Sequence, residues 1–160
     1  MNMSWGMIIV LASLFFFPLE GACAEGMATI GAVEEVILLP WNIKILARID
    51  TGAATTSLDV REMIRHGEKE VEFVLPERCG GHQMRLPVLQ WRSIKSSEGF
   101  RERRPVVELE ICLGPKRLRT QVTLNDRSSM EFPLIIGRKT IRRNFVVDVS
   151  RSNITSPVCH

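Results

Sequence analysis

The run Arg48-Ile49-Asp50-Thr51-Gly52-Ala53-Ala54 ends an alternating apolar segment in one carboxylate followed by small residues. A carboxylate can act as a general base toward water, but hydrolysis of a carbonyl compound also needs an acid to protonate the leaving group. Two carboxyls that share a proton supply both functions, because like charges a few Å apart cannot both ionise. Thr51 has a hydroxyl that can fix the loop by hydrogen bonding, and Gly52 lets backbone approach the acid closely. Asp and Gly after a strand are also ordinary turn chemistry, so the triplet alone does not decide between a turn and a catalytic loop.

Other chemistry has less support. Cys79 and His82 have ligand-like spacing, but a structural zinc site takes four ligands, and His66 and His160 lie far from this pair in sequence. There is no H-E-x-x-H pair and no Gly-rich phosphate loop ending in Lys-Ser/Thr, so neither metal hydrolysis nor nucleotide use has residues to carry it. No metal and no cofactor is expected. Asp126, in "LNDRSS", reads as a turn residue, and Asp148, in "VVDVS", lacks a following Gly.

The elements that must position Asp50 are short strands. Apolar residues recur with a period of two in "VEEVILL", "IKILARID", "VEFVL", "VVELEICL", "LRTQVTL" and "FVVDV", separated by Gly, Pro, Asn and Asp. Gly114-Pro115 between two of these runs predicts a hairpin. Two segments have helical spacing: Arg61 to Gly67, and Arg138 to Phe145, where Ile141 and Phe145 stand one turn apart. The class is all-β, a single domain, with a helix near the C-terminus.

The chain has 160 residues. An apolar run from about Met7 to Pro18, followed by Ala22-Cys23-Ala24, reads as a secretory signal peptide over residues 1–24. The run is shorter than the ~20 residues a spanning helix needs, so no stable membrane span is expected after cleavage. Glu20 stands where a lipoprotein signal wants an apolar residue, which argues against an acyl anchor on Cys23. The folded domain is assigned to residues 25–152, and the polar segment 153–160 to a loose tail. Loss of Glu20 with the leader moves the formal net charge from +3 to +4. That mild excess favours anionic partners but falls short of the dense basic and aromatic footprint of a nucleic-acid binder. Cleavage leaves Cys79, Cys112 and Cys159 in a secreted or periplasmic compartment where one internal bridge can persist. Cys112 lies within an apolar alternation and is expected in the core. Cys79–Cys159 is then a candidate pair whose geometry the sequence does not supply.

The segments "ARIDTGAATTSLDV", "KSSEGFRERRPVVELEICLG" and "VTLNDRSSMEFPLIIGRKTIRRNFVVDVSRS" together resemble the bacterial retropepsin-like family labelled "ATP-dependent zinc protease", over about Gly31 to Ser152. The resemblance implies a retropepsin-like acid-protease barrel. It makes Asp50 the catalytic carboxylate, with Thr51, Gly52 and Ala53 shaping its loop and Ile135, Ile136, Gly137 and Arg138 supporting it. A chain carrying a single Asp-Thr-Gly is expected to complete its dyad as a homodimer. Two departures from the retroviral pattern stand out. Ala54 occupies a position where an acid usually pairs with the Arg of the second motif, which leaves Asp59 as the expected partner of Arg138. The hairpin equivalent to the flap, running through Ser96, Ser97, Glu98 and Gly99, is polar and charged rather than apolar.

Two functional readings follow. One is an aspartic peptidase cleaving peptide or protein substrates. If the charged run Arg101-Glu102-Arg103-Arg104 binds substrate rather than solvent, acidic, glutamate-rich peptides fit it better than nucleic acid. The other is a non-catalytic binding module that kept the barrel and lost turnover.

Overall fold

In the computed structural model, which describes residues 26–95 and 101–159, the alternating runs become strands with one buried face. Along the chain these are β1 (Ala28–Gly31), β2 (Val33–Leu39), β3 (Ile43–Asp50), β4 (Thr56–Asp59), β5 (Arg61–His66) and β6 (Glu70–Val74). There follow β7 (Gln83–Pro87), β8 (Gln90–Lys95), β9 (Arg101–Leu113), β10 (Lys116–Asn125), β11 (Leu134–Gly137), a one-turn helix α1 (Arg138–Ile141) and β12 (Phe145–Asp148). The expected leader and the expected flap residues Ser96, Ser97, Glu98 and Gly99 lie outside the described residues. Among the described residues no helix is long and apolar enough to cross a membrane.

Six strands close on themselves in the order β10-β4-β11-β3-β2-β9, with β9 pairing back to β10 and β8 added on the far edge of β9. Closure gives these six strands partners on both sides and so removes exposed edges. The fold is an all-β, retropepsin-like barrel with one short helix before its last strand. Its interior is filled by alternate residues: Ile43, Ile45, Ala47 and Ile49 of β3 are buried while Lys44, Leu46 and Arg48 face out. The same alternation sends Asp50, the next residue, away from the core. Leu109, Ile111 and Leu113 of β9 and Leu134 and Ile136 of β11 complete the same core.

The β9–β10 hairpin turns at Gly114-Pro115 as expected, with Leu113 paired to Lys116 and Gly114 at φ 54°, a left-handed backbone that glycine adopts without strain. Arg61 to Gly67 is not helical. It forms β5, which pairs with β6 around an irregularity between Arg61 and Ile64, where Glu62 has φ 49°. So short a segment cannot sustain an isolated helix, and the strongly alternating β6 recruits it into a three-stranded sheet with β7. The second helical segment stops at Ile141, because Phe145 is taken up by β12, which runs parallel to β1.

The disulfide joins Cys112 to Cys159, with Cα atoms 5.9 Å apart, and Cys79 is the free, buried thiol. This corrects the Cys79–Cys159 pairing, and the reason is the path of the tail. After β12 the chain folds back over the barrel: Asn153 N–H donates to the Val33 carbonyl (2.7 Å) and Val158 N–H to the Gly114 carbonyl (2.9 Å). The buried Glu34 carboxylate accepts from Gly31 N–H (2.6 Å) and from the Thr155 N–H (3.2 Å) and hydroxyl (3.0 Å). A segment whose composition suggests a loose end is therefore tethered through residue 159, beside the β9–β10 turn and within reach of Cys112.

Candidate active site

β3 and β11 lie parallel, with Ile49 opposite Ile136 and Asp50 opposite Gly137. Immediately after Asp50 the chain turns, and the N–H groups of Gly52 (2.9 Å) and Ala53 (3.0 Å) both donate to its Oδ1. These two bonds fix the carboxylate at the mouth of the loop, partly exposed, and among the described residues Oδ2 has no hydrogen-bond partner.

The loop is braced from β11 and α1. Arg138 Nη1 donates to the carbonyls of Thr51 (2.9 Å) and Gly52 (2.7 Å), while the backbone N–H of Arg138 reaches the Ala53 carbonyl (2.9 Å) and that of Lys139 the Ala54 carbonyl (3.3 Å). Four successive carbonyls of the loop are thus held by two residues of the second motif. Below them runs a chain of hydroxyls: Thr56 Oγ1 accepts from Gly137 N–H (3.2 Å) and meets Thr140 Oγ1 (2.7 Å), which meets Thr120 Oγ1 (2.6 Å). Gly137 has no room for a side chain, since a Cβ would stand 2.4 Å from the Thr55 carbonyl carbon. Ile136 is fully buried behind the loop and Ile135 partly so. The two sequence motifs are therefore one structural unit: a carboxylate at a strand end, two N–H donors, and a glycine-helix support.

Residues 29–157 match the model of the retropepsin-like aspartic endopeptidase RimB. The chain belongs to the RimB-like family. Among relatives, it is 35% identical over 115 residues to a probable alpha-L-glutamate ligase of Shewanella pealeana, covering 68% of this chain and 25% of the ligase. A probable alpha-L-glutamate ligase of Desulfotalea psychrophila is 32% identical over 111 residues, 65% of this chain and 24% of that one. The RimB-like chain thus spans about a quarter of the length of the curated relatives it matches. Among solved structures, a Legionella pneumophila protein described as of unknown function superposes with a TM-score of 0.69 at 29% identity, over 81% of this chain and 98% of its own.

Within this RimB-like frame one expectation is corrected. Asp59 is not the partner of Arg138: it is wholly buried at the far end of β4, and Arg138 is exposed and spends its guanidinium on loop carbonyls. Asp59 instead anchors a second polar centre. Arg61 forks both of its oxygens, Arg78 Nη2 donates to Oδ2 (2.9 Å), and Arg127 N–H donates to Oδ1 (2.6 Å). Burial pushes the Asp59 carboxyl up, but the hydrogen bonds from Arg61, the Arg127 backbone and Arg78 outweigh it and hold the group below the ordinary carboxylate range. The sequence holds no local signal for this centre, because Arg78 and Arg127 lie 19 and 68 residues from Asp59.

Asp126 and Asp148 are tied into their own turns, each accepting from the N–H two residues on (Ser128, 2.7 Å; Ser150, 3.0 Å). Cys79 is buried, which pushes its thiol up, and His82 is exposed. No three His, Cys, Asp or Glu side chains cluster as a metal site among the described residues.

Proposed function

We propose that the chain is an exported aspartic peptidase that acts as a homodimer on peptide substrates, with water activated between the Asp50 carboxyls of two copies. The observation that carries the reading is the Asp50 carboxylate, fixed by two loop N–H groups and backed by Gly137, with Oδ2 left for a water or a second carboxyl. Thr51, Gly52 and Ala54 are exposed on the same loop, the surface a second copy has to meet for two carboxyls to share a proton. In such a dyad one carboxylate takes the proton of water as it attacks the peptide carbonyl, and the protonated partner supplies the acid.

An acidic substrate fits the surroundings. Arg61, Arg78 and the Arg127 backbone gather on Asp59, Arg104 and Asp50 act on the Arg127 charge, and the relatives are named as probable ligases of alpha-L-glutamate. A domain that hydrolyses glutamate-rich chains is a natural companion to one that makes them. Export is supported by the apolar leader ending Ala22-Cys23-Ala24 and by the Cys112–Cys159 bridge, which persists in an oxidising compartment.

The test is digestion of an unbiased peptide library by wild-type protein and by Asp50→Asn. The expected result is cleavage with a bell-shaped, acidic pH dependence, no effect of chelator, and no cleavage by Asp50→Asn. Cleavage that survives the substitution overturns the aspartic mechanism. Folded wild-type protein that cleaves nothing favours the non-catalytic binding module. N-terminal sequencing of protein exported by its host is expected to begin at Glu25, and retention of Met1 overturns the signal-peptide reading.

A further inference from the structure

Arg127 differs from the other arginines of the polar centre. Its backbone N–H is committed to Asp59, but its side chain, half-buried in the loop after β10, makes no hydrogen bond among the described residues, and its Nε is buried without an acceptor. Asp59 cannot serve it, because both carboxylate oxygens are already taken: Oδ1 by Arg61 and the Arg127 backbone, Oδ2 by Arg61 and Arg78. Arg61 also reaches Asp126 (3.3 Å), and Arg104 is held by Glu102 (2.7 Å). The neighbouring cations therefore have acceptors, and among the described residues the Arg127 side chain has none.

Its surroundings point toward the reaction centre. The charges that act on Arg127 are Asp59 and Asp50, which favour its cationic form, and Arg104 and Arg78, which oppose it. Arg104 stands on β9, which pairs with β8 to form the expected flap hairpin, and Asp50 lies at the end of β3. The topology agrees: Thr123 near the end of β10 pairs with Val106 of β9, two residues from Arg104, and Asp59, which the Arg127 N–H holds, donates its own N–H to Pro133 just before β11, the strand that pairs Gly137 with Asp50. A guanidinium that is partly stripped of water and lacks an acceptor is costly to keep, and its planar fork matches a carboxylate better than any other peptide side chain.

We propose that Arg127 is the specificity-determining residue of the Asp50 cleft, binding a side-chain carboxylate of an acidic peptide substrate beside the reacting bond. The proposal rests on the reading of this cleft as a peptide site and assigns one residue the choice of acidic over neutral chains. Asp59, with Arg61 and Arg78, is then the scaffold that fixes the loop carrying Arg127.

Binding separates this proposal from the peptidase reading. In the Asp50→Asn background, a fluorescently labelled all-glutamate peptide and its all-glutamine counterpart are titrated into protein carrying Arg127, Arg127→Gln or Arg127→Lys. With Arg127 present the glutamate peptide binds about tenfold or more tightly, and the preference weakens with salt. Arg127→Gln reduces the preference to about twofold or less and Arg127→Lys restores part of it, with melting temperatures not lowered because the Asp59 bond is made by backbone and the side chain has no partner to lose among the described residues. An undiminished preference in Arg127→Gln, or no preference in the parent, overturns the proposal. Loss of preference on Arg127→Gln in a protein that never cleaves peptide upholds the Arg127 assignment while rejecting the peptidase.

Discussion

Replacing Asp59 with asparagine probes the polar centre under the loop that carries Arg127. The side chain of Asp59 is wholly inaccessible, whereas those of Arg61 and Arg78 are 30% and 40% exposed. Asparagine keeps an acceptor for the Arg127 N–H but removes the charge that two guanidiniums share. Removing one partner of a buried ion pair costs roughly 3 to 5 kcal/mol, and the lower end applies because both arginines can rehydrate. About 3 kcal/mol in a domain of this size lowers the melting temperature by about 10 °C. The pH dependence follows from the depressed carboxyl of Asp59. Its stabilisation is fully present above the unfolded value of about 3.9 and is lost as pH falls through the lower folded value. Wild type and Asp59→Asn should therefore differ by the full amount at neutral pH and converge below about pH 4. Melting curves of both proteins between neutral pH and about pH 3 measure this. A gap of under about 2 °C at neutral pH, or one that does not narrow in acid, refutes the assignment of Asp59 as a charged structural anchor.

Gly137→Ala places a methyl group 2.4 Å from the Thr55 carbonyl carbon, so the Asp50 loop must move; chemical denaturation should show a loss of about 3 kcal/mol, and peptide cleavage should fall with it. Arg138→Ala removes two exposed bonds to the Thr51 and Gly52 carbonyls. Its stability cost should be only about 1 kcal/mol, while cleavage falls about ten- to a hundredfold as the loop loosens, as paired melting and kinetic measurements would show. Cys159→Ser opens a bridge spanning 47 residues, and the loop-closure model gives a loss of about 4 kcal/mol. Reductant should bring wild type to the same stability, and a reductant-insensitive melt would contradict that model.

Local pattern was enough to determine the strongly alternating strands. Period-two alternation in Val33–Leu39 and Ile43–Asp50 reports directly which face is buried, because side chains on a strand alternate by geometry. The Asp-Thr-Gly-Ala run by itself was compatible with an ordinary turn, and only the family resemblance tied it to the Ile135-Ile136-Gly137-Arg138 run. What these segments do to one another was decided only by barrel closure. β11 inserts between β3 and β4 and so brings Arg138 onto the loop carbonyls rather than onto Asp59. The returning tail carries Cys159 to Cys112 and leaves Cys79 alone. Arg61 to His66 takes the conformation of the sheet it joins, overriding a weak helical spacing. Arg78 and Arg127 lie 19 and 68 residues from Asp59, so no short window of sequence contains the whole centre; they meet there because the closed barrel buries that one carboxylate beside them.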